Sequence, residues 1–259
     1  MSNQDLLIEM RDNTEIITLN RPKALNALNS QVRAELEQTF VDAEARGDIK
    51  VIIVTGSGRA FAAGKDIPAF VGLGGDGMAA DSREDHRVFG KIRNLTKPVI
   101  AAINGIALGG GLELAMSCHI RVAADTAVMG QPEVGLGGIP GAGGTQLLPR
   151  LIGTGAALYY LLTGENISAQ EAYRLGLVDK IVTADKLMVT ALAIAKVIGQ
   201  KGPIASKLIL EAVTKGMRLT LEKGLKLEEE QWRICGATED WNEAIKSFME
   251  KKPIVFKGR

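Results

Sequence analysis

Short apolar runs alternate with helical patterns along the first two-thirds of this 259-residue chain, and this alternation constrains the fold more than any other feature. A short apolar run bounded by turn residues is typical of a buried strand. Strands that alternate with helices favour an α/β layer architecture with parallel strand pairing. The predicted strands are Ile16–Leu19, Val51–Thr55, Val99–Ile103, Arg121–Ala123, Ala127–Met129 and Leu177–Val182.

Helical periodicity separates these strands. Ser30–Ala45 carries its charged residues on one face, and Ser30 is a plausible N-cap. Glu84–Leu95 predicts a second helix, which ends before Pro98. The glycine-containing segment Val71–Asp85 between them is interpreted as a mobile loop.

From Ala184 onwards the strand patterns stop and only helical patterns follow. Such a tail either packs back on its own core or docks onto neighbouring molecules. We expect docking, because its apolar side chains offer more surface than a lone helical hairpin should expose. These side chains include Leu208, Val213, Leu221, Leu225 and Trp232. The predicted helices are Ala184–Ile198, Ile204–Lys215, Leu219–Ile234 and Asp240–Glu250.

Composition excludes several classes of function. The formal net charge is +1 and aromatic residues make up 4%, which argues against an electrostatic or base-stacking nucleic-acid interface. Cys118 and Cys235 show no zinc spacing and no disulfide framework. The N-terminal residues lack a signal-peptide pattern and no apolar run has the length of a membrane span. We therefore expect a cytoplasmic protein that binds neither nucleic acid nor membrane.

The segment ALGGGLELAMSC places Glu113 at the start of a predicted helix, Leu112–Ser117. Glycines before a helix leave backbone N–H groups free, and the helix dipole favours an anion there. An enolate oxygen at that point would be stabilised as in an oxyanion hole. Two interpretations of Glu113 remain open: a first-turn carboxylate that complements the helix dipole, or a catalytic acid–base group.

Glu133 lies in a second glycine-rich segment, MGQPEVGLGGIPGAGGTQ. In isolation it could be a solvated loop carboxylate. The run Gly135–Gly144 lacks the Gly-Lys-Ser/Thr ending of a phosphate-binding loop. We expect its backbone to pack closely around a ligand or a neighbouring helix.

The segment AFAAGKD at residues 60–66 supplies a third exposed turn. Its small residues would let a substrate lie against the main chain, and the Ala63 N–H could be an oxyanion donor. Lys65 could be a surface lysine or a phosphate contact, and Asp66 could stabilise the turn.

Other chemistries find little support in the chain. Gly72, Gly74 and Gly77 match a GxGxxG pattern, but no strand leads directly into it. His86 and His119 are the only histidines and show no metal-ligand spacing. The chain also lacks a GxSxG nucleophile elbow.

Taken together, long segments of the chain resemble the crotonase (enoyl-CoA hydratase/isomerase) family. The resemblance spans nearly the whole chain, with segments in the right order and at the right spacing. Two residues depart from the family pattern: His119 stands where an aspartate is common, and Lys65 where a small residue is common. The similar segments are NRPKALNAL at 20–28, AFAAGKD at 60–66, KPVIAAINGIALGGGLELAMSC at 97–118, GQPEVGLGGIPGAGGTQLLPR at 130–150, LTGENISAQEAYRLGLVDKIV at 162–182 and the ending SFMEKKPIVFKGR.

The resemblance implies a fold and an assembly. The fold would be a crotonase-type spiral of ββα units, with the acyl-CoA site in residues 1–195. Residues 196–259 would form a helical region that makes a homotrimer, or a homohexamer as a dimer of trimers. No cofactor or metal would be needed, since coenzyme A is part of the substrate.

The resemblance also assigns residues to the site. Ala63 and Gly110 would be the two oxyanion donors for a thioester carbonyl. Glu113 and Glu133 would hold a water molecule and shuttle its protons. The residues that resemble the CoA-binding set are Lys23, Ala24, Leu25, Ala62, Gly64, Lys65, Asp66 and Lys251. The acyl pocket would be lined by Ile67, Phe70, Val71, Phe89 and the stretch after Glu133.

Two glutamates together are what the syn addition of water to a 2-enoyl-CoA requires, because one activates the water and the other donates a proton. The resemblance therefore implies an enoyl-CoA hydratase (a lyase of fatty acid metabolism). The alternative within the family is a hydratase, dehydratase or isomerase of a branched, cyclic or carnitinyl acyl-CoA. A CoA-binding or RNA-binding scaffold without catalysis is the alternative from another class, and the presence of both glutamates argues against it.

Overall fold

The structure is a computed structural model that describes residues 5–259, and it is built on two β-sheets. Its strands are β1 Leu6–Arg11, β2 Thr14–Leu19, β3 Val51–Gly56, β4 Ala60–Ala62, β5 Val99–Ile103, β6 Ile106–Leu108, β7 Ile120–Ala124, β8 Val128–Gly130, β9 Ile167–Ser168 and β10 Lys180–Val182. Its α-helices are α1 Ser30–Ala45, α2 Gly74–Arg93, α3 Gly110–Ser117, α4 Gly144–Ile152, α5 Thr154–Thr163, α6 Ala169–Leu175, α7 Leu187–Gly199, α8 Pro203–Gly216, α9 Leu221–Gly236 and α10 Glu239–Met249. Short 3₁₀ helices span Pro22–Ala24, Ile67–Phe70, Pro132–Leu136 and Ala184–Lys186.

A repeated ββα unit generates the two sheets. The larger sheet has the order β1-β2-β3-β5-β7-β10, and the smaller has the order β4-β6-β8-β9. Each of the pairs β3/β4, β5/β6 and β7/β8 places its first strand in the larger sheet and its second in the smaller one. The predicted α/β spiral of ββα units is confirmed. Pairing is parallel except at the β1–β2 hairpin and between β8 and β9.

The apolar runs become strands because both faces of the larger sheet are covered. Every residue of β5, and every residue of β3 before Gly56, is buried. Parallel strands covered on both faces have near-continuous apolar sequences, which is the pattern seen here. Helix α7 packs against β2, β3, β5 and β7, and its inward face is formed by Leu187, Ala191 and Ala195.

Two helix predictions are corrected. The N-cap of α1 is Asn29, whose side chain accepts from the Val32 N–H at 2.8 Å, and not Ser30. Helix α2 begins at Gly74, so the mobile loop predicted over Val71–Asp85 is wrong for most of its length. The first half of α2 has no buried apolar side chain, and so its sequence shows no helical stripe.

The helical tail exposes apolar surface, as predicted. Val213, Leu221, Leu225 and Trp232 are all more than half exposed, but Leu208 is buried. The predicted boundary between residues 195 and 196 falls inside α7, whose buried face belongs to the core. The break in the chain nearest to this predicted boundary lies at residues 200–202, between α7 and α8.

Within residues 5–259, no single helix has both the length and the apolar character needed to cross a membrane. One pair, Ala184–Gly199 with Pro203–Gly216, meets those criteria only when its halves are joined across a 107° bend.

Helix α3 approaches strand β4 of the smaller sheet closely at Gly111. A Cβ atom at Gly111 would overlap the carbonyl oxygen of Ala62 in β4. The clash is with backbone at a fully buried position, and no side chain can move aside to relieve it.

We therefore predict that Gly111→Ala lowers the free energy of unfolding by about 1–3 kcal/mol, measured by urea denaturation. Gly155→Ala in α5 is the matched control, because no atom lies within 4 Å of its added Cβ and its φ is ordinary. The control should stabilise by up to about 1 kcal/mol. Equal stability of both variants would contradict the close approach.

Candidate active site

The loop at residues 20–28 and the turn at residues 60–66 form one hydrogen-bonded unit. Leu25 and Asn26 both have positive φ, 51° and 57°. The Asn26 side chain, 1% exposed, accepts from the Arg21 N–H at 2.9 Å and donates to the carbonyl oxygens of Ala60 at 2.7 Å and Ser57 at 3.0 Å. Sequence analysis did not assign Asn26 a role, although an asparagine is among the residues that tolerate positive φ.

This unit corrects one predicted oxyanion donor. The Ala63 N–H already donates to the Leu25 carbonyl at 2.9 Å, so it is not free to bind a ligand. On the other side of the turn, Leu28 N–H donates to Gly64 O at 2.8 Å and Asp66 N–H donates to Leu28 O at 3.4 Å. In such a parallel bridge the N–H of the middle residue, Lys65, faces away from Leu28.

The Lys65 N–H faces the start of α3. A Cβ atom at Gly110 would lie 3.6 Å from the Lys65 backbone nitrogen, and one at Gly64 would lie 3.9 Å from the Gly110 nitrogen. Within the described residues 5–259, neither the Lys65 nor the Gly110 N–H has a hydrogen-bond acceptor. Two neighbouring unpaired donors, one at a helix N-terminus, are suited to an oxyanion. The unpaired neighbour of Gly110 is therefore Lys65 and not Ala63.

Gly109 shapes the start of α3. Its φ is +48°, and its N–H donates to Gly130 O at 2.9 Å. A Cβ at Gly109 would lie 2.9 Å from Glu133 Oε1. The missing side chain therefore lets the Glu133 carboxylate lie over the helix start.

Glu113, in the first turn of α3, is 1% exposed. Its Oε1 accepts from the backbone N–H groups of Gly144 at 2.7 Å and Ala142 at 2.8 Å. The glycine-rich run predicted to pack around a ligand or helix therefore packs on this glutamate. Burial raises the pKa of Glu113 to about 7; the two N–H donors oppose this shift, while the charges of Glu133 and Asp85 add to it.

Glu133 lies in the 3₁₀ helix Pro132–Leu136 and is half-buried, so it is not a solvated loop carboxylate. Gln131 is buried beside it, and with its amide nitrogen turned toward the carboxylate it donates to Oε1 at 2.9 Å and Oε2 at 3.2 Å. Burial raises the pKa of Glu133, and its own backbone N–H and the charge of Lys65 oppose the shift.

The Lys65 side chain fits neither sequence interpretation. It is 14% exposed and forms ion pairs with Asp81 and Asp85 of α2, so it is neither a surface lysine nor a free phosphate contact. Asp66 accepts from Arg21 at 3.4 Å, which fits its predicted role in stabilising the turn.

The remaining predicted CoA contacts are dispersed. Lys23 and Ala24 are exposed in the 3₁₀ helix that precedes Leu25, beside the buried Ala62 of the turn. Lys251 is exposed just after α10, with φ +55°. No hydrogen bond or ion pair within residues 5–259 joins Lys251 to residues 23–25 or 62–66.

The predicted acyl-pocket residues divide into two groups. Ile67 and Val71 are exposed, and the Phe70 ring lies under the Lys65 ammonium, 5.5 Å from its centroid. Phe89 is fully buried in the core and does not line an open pocket, because α2 turns its apolar face inward there.

His119 has a structural contact in place of a catalytic one. Its Nδ1 accepts from the Val99 N–H at 3.0 Å, and burial lowers the pKa of the ring to about 4. Cys118 and Cys235 are free thiols. In the described part of the chain, no group of three or more His, Cys, Asp or Glu side chains is placed to hold a metal ion.

Comparisons with known proteins give the family and the fold. The family model described as enoyl-CoA hydratase/isomerase matches residues 9–259. A short-chain-enoyl-CoA hydratase of Clostridium acetobutylicum is 42% identical over 100% of both chains, and a crotonyl-CoA hydratase of Syntrophomonas wolfei is 40% identical over 99% of both. The crystal structure of an enoyl-CoA hydratase from Bacillus anthracis superposes with a TM-score of 0.95 at 38% identity, covering 99% of this chain and 100% of that one.

The buried Glu113 carboxyl predicts a pH-dependent stability. Because its folded-state pKa is about 7, against an ordinary value of 4.5, its proton stabilises the fold at low pH, and that contribution is lost as the pH rises through 7. Glutamine cannot ionise and keeps an acceptor oxygen. Glu113→Gln should therefore be more stable than the wild type by about 1–3 kcal/mol at pH 8, with little gain at pH 5.

Urea denaturation at the two pH values measures this difference. Glu133→Gln, at a more exposed carboxyl, should show a smaller gain at pH 8. A Glu113→Gln variant whose stability relative to the wild type is the same at both pH values would contradict the buried, proton-binding carboxyl.

Proposed function

Because the chain belongs to the enoyl-CoA hydratase/isomerase (crotonase) family, we propose that it adds water reversibly across the 2,3 double bond of a 2-enoyl-CoA to give a 3-hydroxyacyl-CoA. The observation that carries the proposal is the pairing of two partly or fully buried glutamates with two unpaired backbone N–H groups at the start of α3. No cofactor is proposed beyond the coenzyme A carried by the substrate.

The proposed oxyanion donors are the N–H groups of Lys65 and Gly110. As the nucleophile approaches C3, negative charge develops on the thioester oxygen, and two fixed donors stabilise that charge without reorganising. The dipole of α3 adds to the effect, because Gly110 is its first residue.

Glu113 and Glu133 are the proposed proton-transfer pair. One ionised carboxylate takes a proton from water as the water oxygen bonds to C3, and the other carboxyl gives its proton to C2. The π electrons of the double bond form the C2–H bond through the enolate, so H and OH add on the same face and the pair keeps one proton. Raised pKa values in both groups suit proton exchange near neutral pH.

Coenzyme A is proposed to lie along the backbone of residues 23–25 and the 62–66 turn, with Lys251 near its phosphates. The acyl group is proposed to be short. Support comes from relatives named for short-chain and crotonyl substrates.

We predict that the protein hydrates crotonyl-CoA, measured as loss of enoyl-thioester absorbance, with kcat/KM falling as the chain lengthens. Glu113→Gln and Glu133→Gln should each lower kcat by about 10²–10⁴-fold, because general acid–base catalysis contributes that much. Glu171→Gln on α6 is the matched control and should keep wild-type kcat. Inactivity of the wild type toward every 2-enoyl-CoA would exclude the proposed function. A wild-type kcat in either active-site variant would exclude a role of that glutamate in proton transfer.

We also propose that the helices following α7, within the predicted 196–259 region, assemble the chain into a homotrimer or a dimer of trimers. The support is the exposed apolar surface of α8 to α10, including Leu221 and Phe248, at 74% and 75% exposure. Patches of this kind mark interaction sites.

Sedimentation velocity should give three or six times the 27.6 kDa of one chain. Leu225→Glu should shift the mass toward one chain while circular dichroism stays unchanged, because a buried unpaired charge opposes association. Lys180→Glu on β10 is the control outside the tail and should leave the mass unchanged. A wild-type monomer would exclude the assembly.

A further inference from the structure

Four charged side chains from three segments meet behind the oxyanion turn, and we call Lys65, Arg33, Asp81 and Asp85 the α2 charge cluster. Arg33 of α1 donates from Nη1 to Asp81 Oδ1 at 2.7 Å and to Asp85 Oδ1 at 2.9 Å. Lys65 pairs with the other oxygen of each aspartate. Each aspartate therefore bridges one lysine and one arginine, and the formal charges sum to zero.

The cluster is sheltered from water. Asp85 is fully buried, and the side chains of Lys65, Arg33 and Asp81 are between 12% and 16% exposed. Burying ions is costly even when they are paired, and apolar replacements of similar volume are often as stable or more so. Stabilisation of the fold therefore explains the lysine at position 65 only weakly. The position of Lys65 in the candidate active site explains it better.

Lys65 is the member that reaches the reacting groups. Its Cγ would lie 3.2 Å from a Cβ at Gly110, and its backbone N–H is one of the two proposed oxyanion donors. Glu133 approaches the same helix start over Gly109. The side chain is thus anchored on α2 while the backbone of the same residue faces the substrate oxygen.

We propose that Lys65 is a positioning residue: its ammonium, anchored by Asp81 and Asp85, fixes the direction of its own N–H and keeps a positive charge beside Glu133. This inference rests on the proposed hydration function. It extends that function by making α2 part of the support for the oxyanion donors.

The charges of the α2 charge cluster act in opposite directions on the pKa values of Glu113 and Glu133. The groups paired with Lys65 are Asp81 and Asp85 from α2, and Arg33 pairs with the other oxygen of each aspartate. Glu133, on the 3₁₀ helix, is the further carboxyl on which the charge of Lys65 acts. The charge of Lys65 opposes the rise in the pKa of Glu133, and the charge of Asp85 adds to the rise in the pKa of Glu113. The cluster therefore favours a proton on Glu113 over one on Glu133.

The test compares three variants with the wild type. Lys65→Met removes the charge but keeps the aliphatic stem and the backbone N–H. Lys65→Met/Asp85→Asn also removes the charge of the buried carboxylate that would be left with Arg33 as its one partner in the cluster, so it restores the charge balance of the cluster. Lys180→Met, at an exposed position of β10, is the matched control.

We expect Lys65→Met to lower kcat for crotonyl-CoA hydration by at least about tenfold, with KM changed less. The pKa of Glu133, followed by ¹³C NMR of its side-chain carboxyl and assigned with Glu133→Gln, should rise further, because the opposing charge of Lys65 is lost. The double variant should regain thermal stability yet keep both the low kcat and the raised pKa of Glu133. Lys180→Met should match the wild type.

Recovery of kcat and of the Glu133 pKa in the double variant would overturn the inference, because Lys65 would then act through stability alone. Wild-type values in Lys65→Met would overturn it too. If Lys65→Met does not fold, the double variant carries the same test. A wild type without hydratase activity would instead exclude the proposed function, and the Glu133 titration would still decide whether Lys65 acts on that carboxyl.

Discussion

Burial of the Glu113 carboxyl is the constraint on which the rest of the site depends. A carboxylate removed from water must find donors, and here the donors are two peptide N–H groups of the glycine-rich run, at Ala142 and Gly144. Only a tightly turned backbone brings alternate N–H groups onto one oxygen. Residues 137–141 join that turn to the 3₁₀ helix that carries Glu133, so a single stretch of chain both bears one glutamate and binds the other.

The backbone hydrogen bonds of residues 62–66 determine which N–H groups are free to bind an oxyanion. The backbone of residues 62–66 lies between loop 20–28 and the start of α3, and its groups alternate in direction. Those that face the loop are satisfied by Leu25 and Leu28, which leaves the Lys65 N–H for the other side. The proposed oxyanion donors are thus backbone N–H groups that the fold leaves unpaired.

Much of this could be predicted from the sequence, for identifiable physical reasons. The buried strands β3 and β5 are continuous apolar runs, and both glutamates lie in glycine-rich segments that the sequence shows directly. By contrast, β4 and β6 are three residues long, too short to show a period. The first half of α2 is held by ion pairs with Lys65 and Arg33 and has no buried apolar side chain, so its sequence does not predict a helix.

The sequence does not show whether the Ala63 or the Lys65 N–H is free to act as an oxyanion donor. Both residues lie in the same small-residue turn, and only the partner of each N–H separates them. That partner is a carbonyl on Leu25, distant in sequence and held in a left-handed conformation that no periodic pattern reveals. Long-range backbone hydrogen bonds of this kind have no local sequence signature.

The Asn26 carboxamide has a further consequence. Its nitrogen donates to two carbonyl oxygens while its oxygen accepts an N–H, so it can be replaced only by a group with the same asymmetry. An aspartate in its place would put a carboxylate against the carbonyls of Ser57 and Ala60, and neither carbonyl would receive a hydrogen bond from it. The turn beneath the oxyanion site therefore depends on the amide nitrogen of a single buried side chain.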